Sequence, residues 1–242
     1  MRIESSSSPL PVIRQALERL NEARGCLDRI DTGLRQGDTD VDTVRMDFES
    51  AQGPIQEATS DDRETDMSAQ GFQAKSYFYQ ASGHLGSLEI QLTGVQTEAG
   101  QFDEEAQALT QTLRSVEDQL GEREEARQLL REALTDLEKA GAHNNDTALY
   151  NWQATGEGRY LQNEVAYSGY LEHICADRAG IDVSFEARQL SHKVDNYLNW
   201  NVARADGKLD EAVNSNAGAI RESGEAKEAL TRLVSLLDPD QE

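Results

Sequence analysis

The chain has 242 residues, a formal net charge of −22 from 45 acidic against 23 basic side chains, 37% hydrophobic residues and a mean hydropathy of −0.68. Charge of that sign repels phosphate backbones and anionic lipid surfaces, which sets nucleic-acid binding aside, and no apolar run approaches the 18 or so residues of a membrane span. Only Pro54 of the four prolines lies away from the ends, so the chain is free to run in long helices that bury a stripe rather than a centre.

Residues 1–11 read as a flexible leader, polar and serine-rich from Ser5 to Ser8, without the hydrophobic segment of a secretory signal peptide. The expectation is a cytoplasmic protein, or one exported without a cleavable signal peptide. Ser8 and Pro9 are helix-start residues, and Ile13, Leu17, Leu20, Leu27 and Leu34 then recur at heptad spacing with Ile30 beside them. Gly33 and Gly37 are expected to end this helix, and Asp38 to Asp42 to connect it to a shorter one carrying Val41, Val44, Phe48, Ala51 and Ile55. Gly53-Pro54 should kink or break that second helix, and Thr59 to Asp66 reads as a polar loop.

The central segment carries the clearest pattern. Phe78, Ala81, Leu85, Leu88, Leu92, Val95, Ala99, Phe102, Ala106, Leu109, Leu113, Val116 and Leu120 follow a strict 4-3 spacing, which predicts one long helix wound left-handedly against a partner. Glycines at 83, 86, 94 and 100 each cost a helix about 1 kcal/mol, yet a break at Gly100 would have to keep phase by accident. The hinge is therefore expected near Gly121, where Arg123 and Arg127 occupy the seam before it resumes at Leu130, Leu134 and Leu137.

Ala140 to Asp146 reads as a loop, with Thr147 as an N-cap and a helix over roughly 148–178 carrying Leu161, Val165, Leu171 and Ile174. Gly180 should end it and Asp182 should cap a last long helix. There Leu198, Val202, Ala205, Leu209, Ala212, Asn216, Ala219, Ser223, Ala226, Leu230, Leu233 and Leu237 again keep 4-3 spacing. Asn216 is either a buried polar residue that fixes register or, the favoured reading, a solvated point next to Gly218 and Gly224. Together these elements predict an all-α fold: long amphipathic helices forming an elongated antiparallel coiled coil or helical bundle. Residues 12–140 would be a long-helix stalk, and 147–237 an aromatic-rich region whose C-terminal helix packs back on it.

Candidate chemistry is sparse. Asp38, Asp40, Asp42 and Glu49 match positions 1, 3, 5 and 12 of a calcium-binding loop, a set of oxygens suited to a hard cation. Thr43 stands where that loop needs glycine, and a helix start is the plainer explanation. Glu172, His173, Cys175 and Asp177 cluster without the spacing of a metal or nucleophile motif, and Cys26 and Cys175 form no CxxC. No catalytic set is recognisable, so the chain reads as non-enzymatic and without a cofactor. Five lysines against eighteen arginines among so many acids suit a high-salt cytoplasm as well as a GC-rich genome.

Eight of the fourteen aromatics lie between residues 150 and 200, which locates any specific contact surface there. The pair Asn-Trp occurs twice, as Asn151-Trp152 and Asn199-Trp200. Core packing where two helices meet is the expectation, and exposed binding anchors the alternative. Tyr160-x-x-x-Glu164 is similar to the tyrosine–acid signal of helical-hairpin secretion substrates, although Trp152 and Gly156 are too far apart for their Trp-x-Gly turn. Trp152, Tyr160 and Trp200 are the candidate interaction residues.

The function expected is a structural or protein–protein interaction protein, a coiled-coil scaffold or assembly subunit that meets a protein partner or itself through its helical seams. One alternative is a helical substrate or effector of a secretion or injection apparatus, and another is a calcium-responsive helical module. If the seam drives folding, Leu92→Asp with Leu113→Asp will each place a carboxylate on it at a cost of several kcal/mol. Far-ultraviolet circular dichroism should then show helicity collapse, and unchanged helicity and size would refute the seam.

Overall fold

The computed structural model of the chain describes residues 8–59, 67–176 and 182–238. The leader up to residue 7, Thr59–Asp66 beyond its first residue, Asp177 and Gly180 lie outside the described residues. The chain forms α1 (Leu10–Glu57), α2 (Met67–Val116), a 3-10 turn (Asp118–Leu120), α3 (Glu124–Ala166), the short α4 (Gly169–Cys175), α5 (Ser184–Asn196), a π-helical turn (Tyr197–Val202) and α6 (Ala203–Leu237). No strand occurs among the described residues, and the fold is an all-α helical bundle.

One rule accounts for all four long helices. Along α2 and the 3-10 turn every one of the thirteen seam positions from Phe78 to Leu120 is buried. In α1 the 4-3 spacing runs from Ile13 to Ile55, and in α3 from Leu130 to Val165, with each position buried. The seam residues are thus covered within a single chain.

The chain divides into two compact units, each built from one stretch of each long helix. The units cut across the expected division into residues 12–140 and 147–237. Unit one comprises Met1–Thr32, Gly94–Leu149 and Ala212–Glu242. Its neighbouring helices pair antiparallel, through Arg29–Glu98 (2.8 Å) between α1 and α2 and Lys139–Glu222 (3.4 Å) between α3 and α6. Its core holds Ile13, Leu20, Leu109, Leu113, Leu130, Leu137, Leu230 and Leu233. Unit two comprises Gly33–Thr93 and Tyr150–Glu211. Antiparallel pairing recurs there in Arg159–Glu89 (2.7 Å) and Arg45–Asp206 (2.8 Å). Phe48 stands edge-on to Phe78, with ring centroids 5.8 Å apart, and 5.5 Å from Tyr197.

Several expected breaks are absent. α1 passes through Gly33, Gly37 and Asp38 to Asp42 without interruption and carries Pro54 in its last turn. Gly37 lies on the seam: a Cβ there would sit 3.0 Å from Leu92 Cδ2 and 3.4 Å from Leu88 Cδ1. Losing about 1 kcal/mol of helix propensity is outweighed by leucines each contributing about 1.5–3 kcal/mol on burial. The expected loop at Ala140 to Asp146 is helix as well. Asn144 and Thr147 are buried seam residues, and Asn144 Nδ2 donates to the Ala99 carbonyl across the unit-one core at 2.9 Å.

Asn216, expected at a solvated point, is fully buried and donates to the Leu27 carbonyl at 3.1 Å. The hinge does fall near Gly121, whose φ of 61° and ψ of −131° only glycine adopts readily. The N-cap of α5 is Val183 rather than the expected Asp182, which stands one residue earlier and accepts the Ser184 N–H at 2.9 Å.

In the last helix the seam reads 183, 187, 190, 194, 197 and then 202, 205, 209, a five-residue step where three or four belong. The π-helical turn absorbs that one extra residue and restores phase for α6.

Two glycines of α2 should respond oppositely to alanine. At Gly100 an added Cβ meets nothing within 4 Å, so Gly100→Ala should raise unfolding free energy by about 0.5–1 kcal/mol. At Gly71 it would lie 2.7 Å from Ile174 Cγ2 and 2.9 Å from the Ile174 backbone carbon, so Gly71→Ala should cost about 1–3 kcal/mol. Denaturant titration checks both signs.

Candidate interaction surface

In unit two the inward stripe of α3 is taken by Ala154, Gly158, Leu161 and Val165, all buried. With 3.6 residues per turn, Trp152, Gly156, Tyr160 and Tyr167 fall on the opposite side. On the α6 side, Asn201 Nδ2 donates to Glu157 Oε2 at 2.9 Å, and the Tyr197 hydroxyl donates to Glu164 Oε2 at 3.1 Å. These two bonds bracket Tyr160 on α3 and Trp200 in the π-helical turn, which therefore flank one inter-helix seam.

Trp152 and Trp200 are each 65% exposed and Tyr160 50% exposed. Core packing of the two indoles is thus overturned, for a reason of phase. Asn151, not Trp152, holds the seam position, and its Nδ2 donates to the Leu92 carbonyl at 2.8 Å. Asn199 is exposed like its neighbour Trp200. Tyr160 and Trp200 stand on the two elements that the Glu157 and Glu164 bonds join, and Trp152 lies about two turns along the outward stripe of α3. Trp152 and Gly156 stand inside α3, so no helical-hairpin turn forms there. Glu164 is engaged by Tyr197 and by Lys193 at 3.4 Å. Burial, then the Glu164 carboxylate, push the Tyr197 phenol well above its ordinary value, so it donates rather than ionises.

The expected calcium loop does not form. Asp38, Asp40 and Asp42 lie inside α1, where 100° per residue turns Asp40 about 200° from Asp38. Asp40 is buried and accepts from Ser87 Oγ at 3.0 Å, while Asp42 is paired with Arg45 at 2.5 Å. Glu49 is exposed and about 16 Å along the helix from Asp38.

Another carboxylate group, unreadable from sequence because it joins two helices, offers ligand atoms within 4.8 Å of one another: Asp136, Glu222 and Glu225. Lys139 Nζ already lies 2.9 Å from Asp136 and 3.4 Å from Glu222, which gives those two acids an internal counter-ion. Cys26 and Cys175 are free and buried, and burial raises both thiols above their ordinary range, the opposite of an activated nucleophile. Glu172 and His173 are exposed while Cys175 faces inward, so that cluster does not converge.

No protein-family model matches the chain, and no curated protein matches it in sequence. No helix among the described residues is long and apolar enough to cross a membrane.

Asp38 provides a pH test of the acidic surface. Burial, then the charges of Asp206, Asp42 and Asp210, raise its carboxyl above the ordinary value. The folded chain therefore holds this proton to higher pH than the unfolded chain, and stability falls as pH rises through that window. Asp38→Asn should have a higher Tm than wild type at pH 7, and the gap should close toward about pH 4. A gap independent of pH would mean that the ionised carboxylate carries no penalty.

Proposed function

We propose that the protein is a non-enzymatic interaction module, a helical scaffold whose unit two offers the outward aromatic face of α3 and the π-helical turn to a protein partner. The observation that supports this is the exposure of Trp152, Tyr160 and Trp200 on helices whose seams are already filled. Burying a ring of this size is strongly favourable, and tryptophan and tyrosine are the residues on which interface energy concentrates. Filled seams also turn the reading away from assembly by coiled-coil pairing and toward docking on a finished surface. Export through the tyrosine–acid pair is less favoured, because Glu164 is spent on Tyr197 and Lys193.

The triple variant Trp152→Ala, Tyr160→Ala, Trp200→Ala should keep wild-type helicity, because all three rings face solvent. It should weaken association at least thirtyfold, the equivalent of one hot-spot residue at about 2 kcal/mol. Association is measured as self-assembly by sedimentation velocity, and as binding of a purified partner first captured from the cells that make the protein. A variant that associates as wild type does, or a wild type that neither self-assembles nor captures a partner, would sink the proposal.

A further inference from the structure

A second feature of unit two lies where α2 meets the end of α3 and the start of α4. It is a groove of about 520 Å³ whose lining includes Lys75, Phe78, Tyr79, Tyr167, Ser168 and Glu172. Phe78 is buried beneath it, while Tyr79 and Tyr167 are 69% and 84% exposed. Ser168 is only 7% exposed, and its buried Oγ has no hydrogen-bond partner. The groove already holds one cation of its own: Lys75 Nζ lies 2.5 Å from Glu172 Oε1 and 5.9 Å from the centre of the Tyr79 ring. A carboxylate beside tyrosine faces is the arrangement that attracts an ammonium or guanidinium group. The same trio recurs in this unit as Lys193 with Tyr170 and Glu164, and as Lys208 with Tyr150 and Glu211.

The geometry points to this groove as the docking site for an arginine side chain on a basic segment of a protein partner. Lys75 is the internal placeholder that the guanidinium displaces. Guanidinium stacks flat on an aromatic face and takes a carboxylate through two parallel N–H bonds, which an ammonium cannot do, so it has the advantage over Lys75 at the same oxygens. A net charge of −22 draws a basic segment toward the surface and repels an acidic one. This inference rests on the interaction reading but uses none of Trp152, Tyr160 or Trp200, so either can fail while the other stands.

The test uses the full chain titrated with the blocked peptide acetyl-Leu-Arg-Leu-amide in 150 mM salt, followed by the tyrosine resonances in NMR. The same peptide with citrulline for arginine keeps the shape and removes the charge. The arginine peptide should saturate and the citrulline peptide should not. Glu172→Gln and Tyr167→Ala should each weaken binding about three- to fivefold, and Lys75→Met should tighten it by a similar factor. Lys227→Met, the same loss of charge in unit one, should change nothing. Two results would overturn the inference at once: equal tightening by Lys227→Met and Lys75→Met, since the general field would then be the cause, and an affinity indifferent to Glu172→Gln. Absence of saturable binding to both wild type and Lys75→Met would also overturn it. All four positions allow the folded state of each variant to be checked by helicity before titration.

Discussion

A helix apolar along a single stripe gains nothing until that stripe is covered, and in this chain four such stripes cover one another. Nearly everything else depends on that burial. Each inward position recurs every three or four residues, so the helices must keep phase with their neighbours over more than forty residues. The hinge at Gly121 and the π-helical turn at Tyr197–Val202 are two places, among the described residues, where the backbone departs from regular α-helix to meet this demand. The first reverses the chain where two arginines would otherwise enter the seam. The second takes up one surplus residue and turns Trp200 outward as a by-product.

Small and polar residues within the seams have a different logic. Gly37, Gly71 and Gly158 occupy inward positions: at Gly71 the Ile174 side chain and backbone leave no room for a Cβ, and at Gly37 and Gly158 a Cβ would crowd a leucine methyl at 3.0 and 3.2 Å. Asn144, Asn151 and Asn216 each donate to a main-chain carbonyl of a neighbouring helix. An asparagine that bonds a particular carbonyl penalises any sliding of its helix, since a shift would leave the buried amide without a partner. A core made largely of alanine and leucine would tolerate such sliding far better.

The candidate surface follows from the same arithmetic in reverse. Once the seams take Asn151, Ala154, Gly158 and Leu161, the large rings between them have only solvent to face. The sequence made the aromatic bias between residues 150 and 200 plain. It did not reveal which rings were inward, because an asparagine next to each tryptophan hid the phase. Tyr197 went inward and Trp152, Tyr160 and Trp200 outward. The groove beside α4 was less legible still, since Tyr79 is far in sequence from Tyr167 and Glu172 and joins them only when α4 packs on α2.

The all-α fold, the long seam from Phe78 to Leu120 and the hinge at Gly121 were determined by the sequence itself, because unbroken apolar periodicity has one economical solution and a glycine followed by two seam arginines, Arg123 and Arg127, interrupts it. Only the tertiary structure decided that α1 and α3 are continuous. Their middles read as breaks when judged by local propensity, with Gly37 and Asp38 to Asp42 in one and Asn144 to Asp146 in the other. Packing against neighbouring helices outweighs the roughly 1 kcal/mol that such residues cost a helix. The same is true of the calcium-like spacing at Asp38, Asp40 and Asp42: a loop would have gathered those oxygens, and a helix spreads them around its circumference.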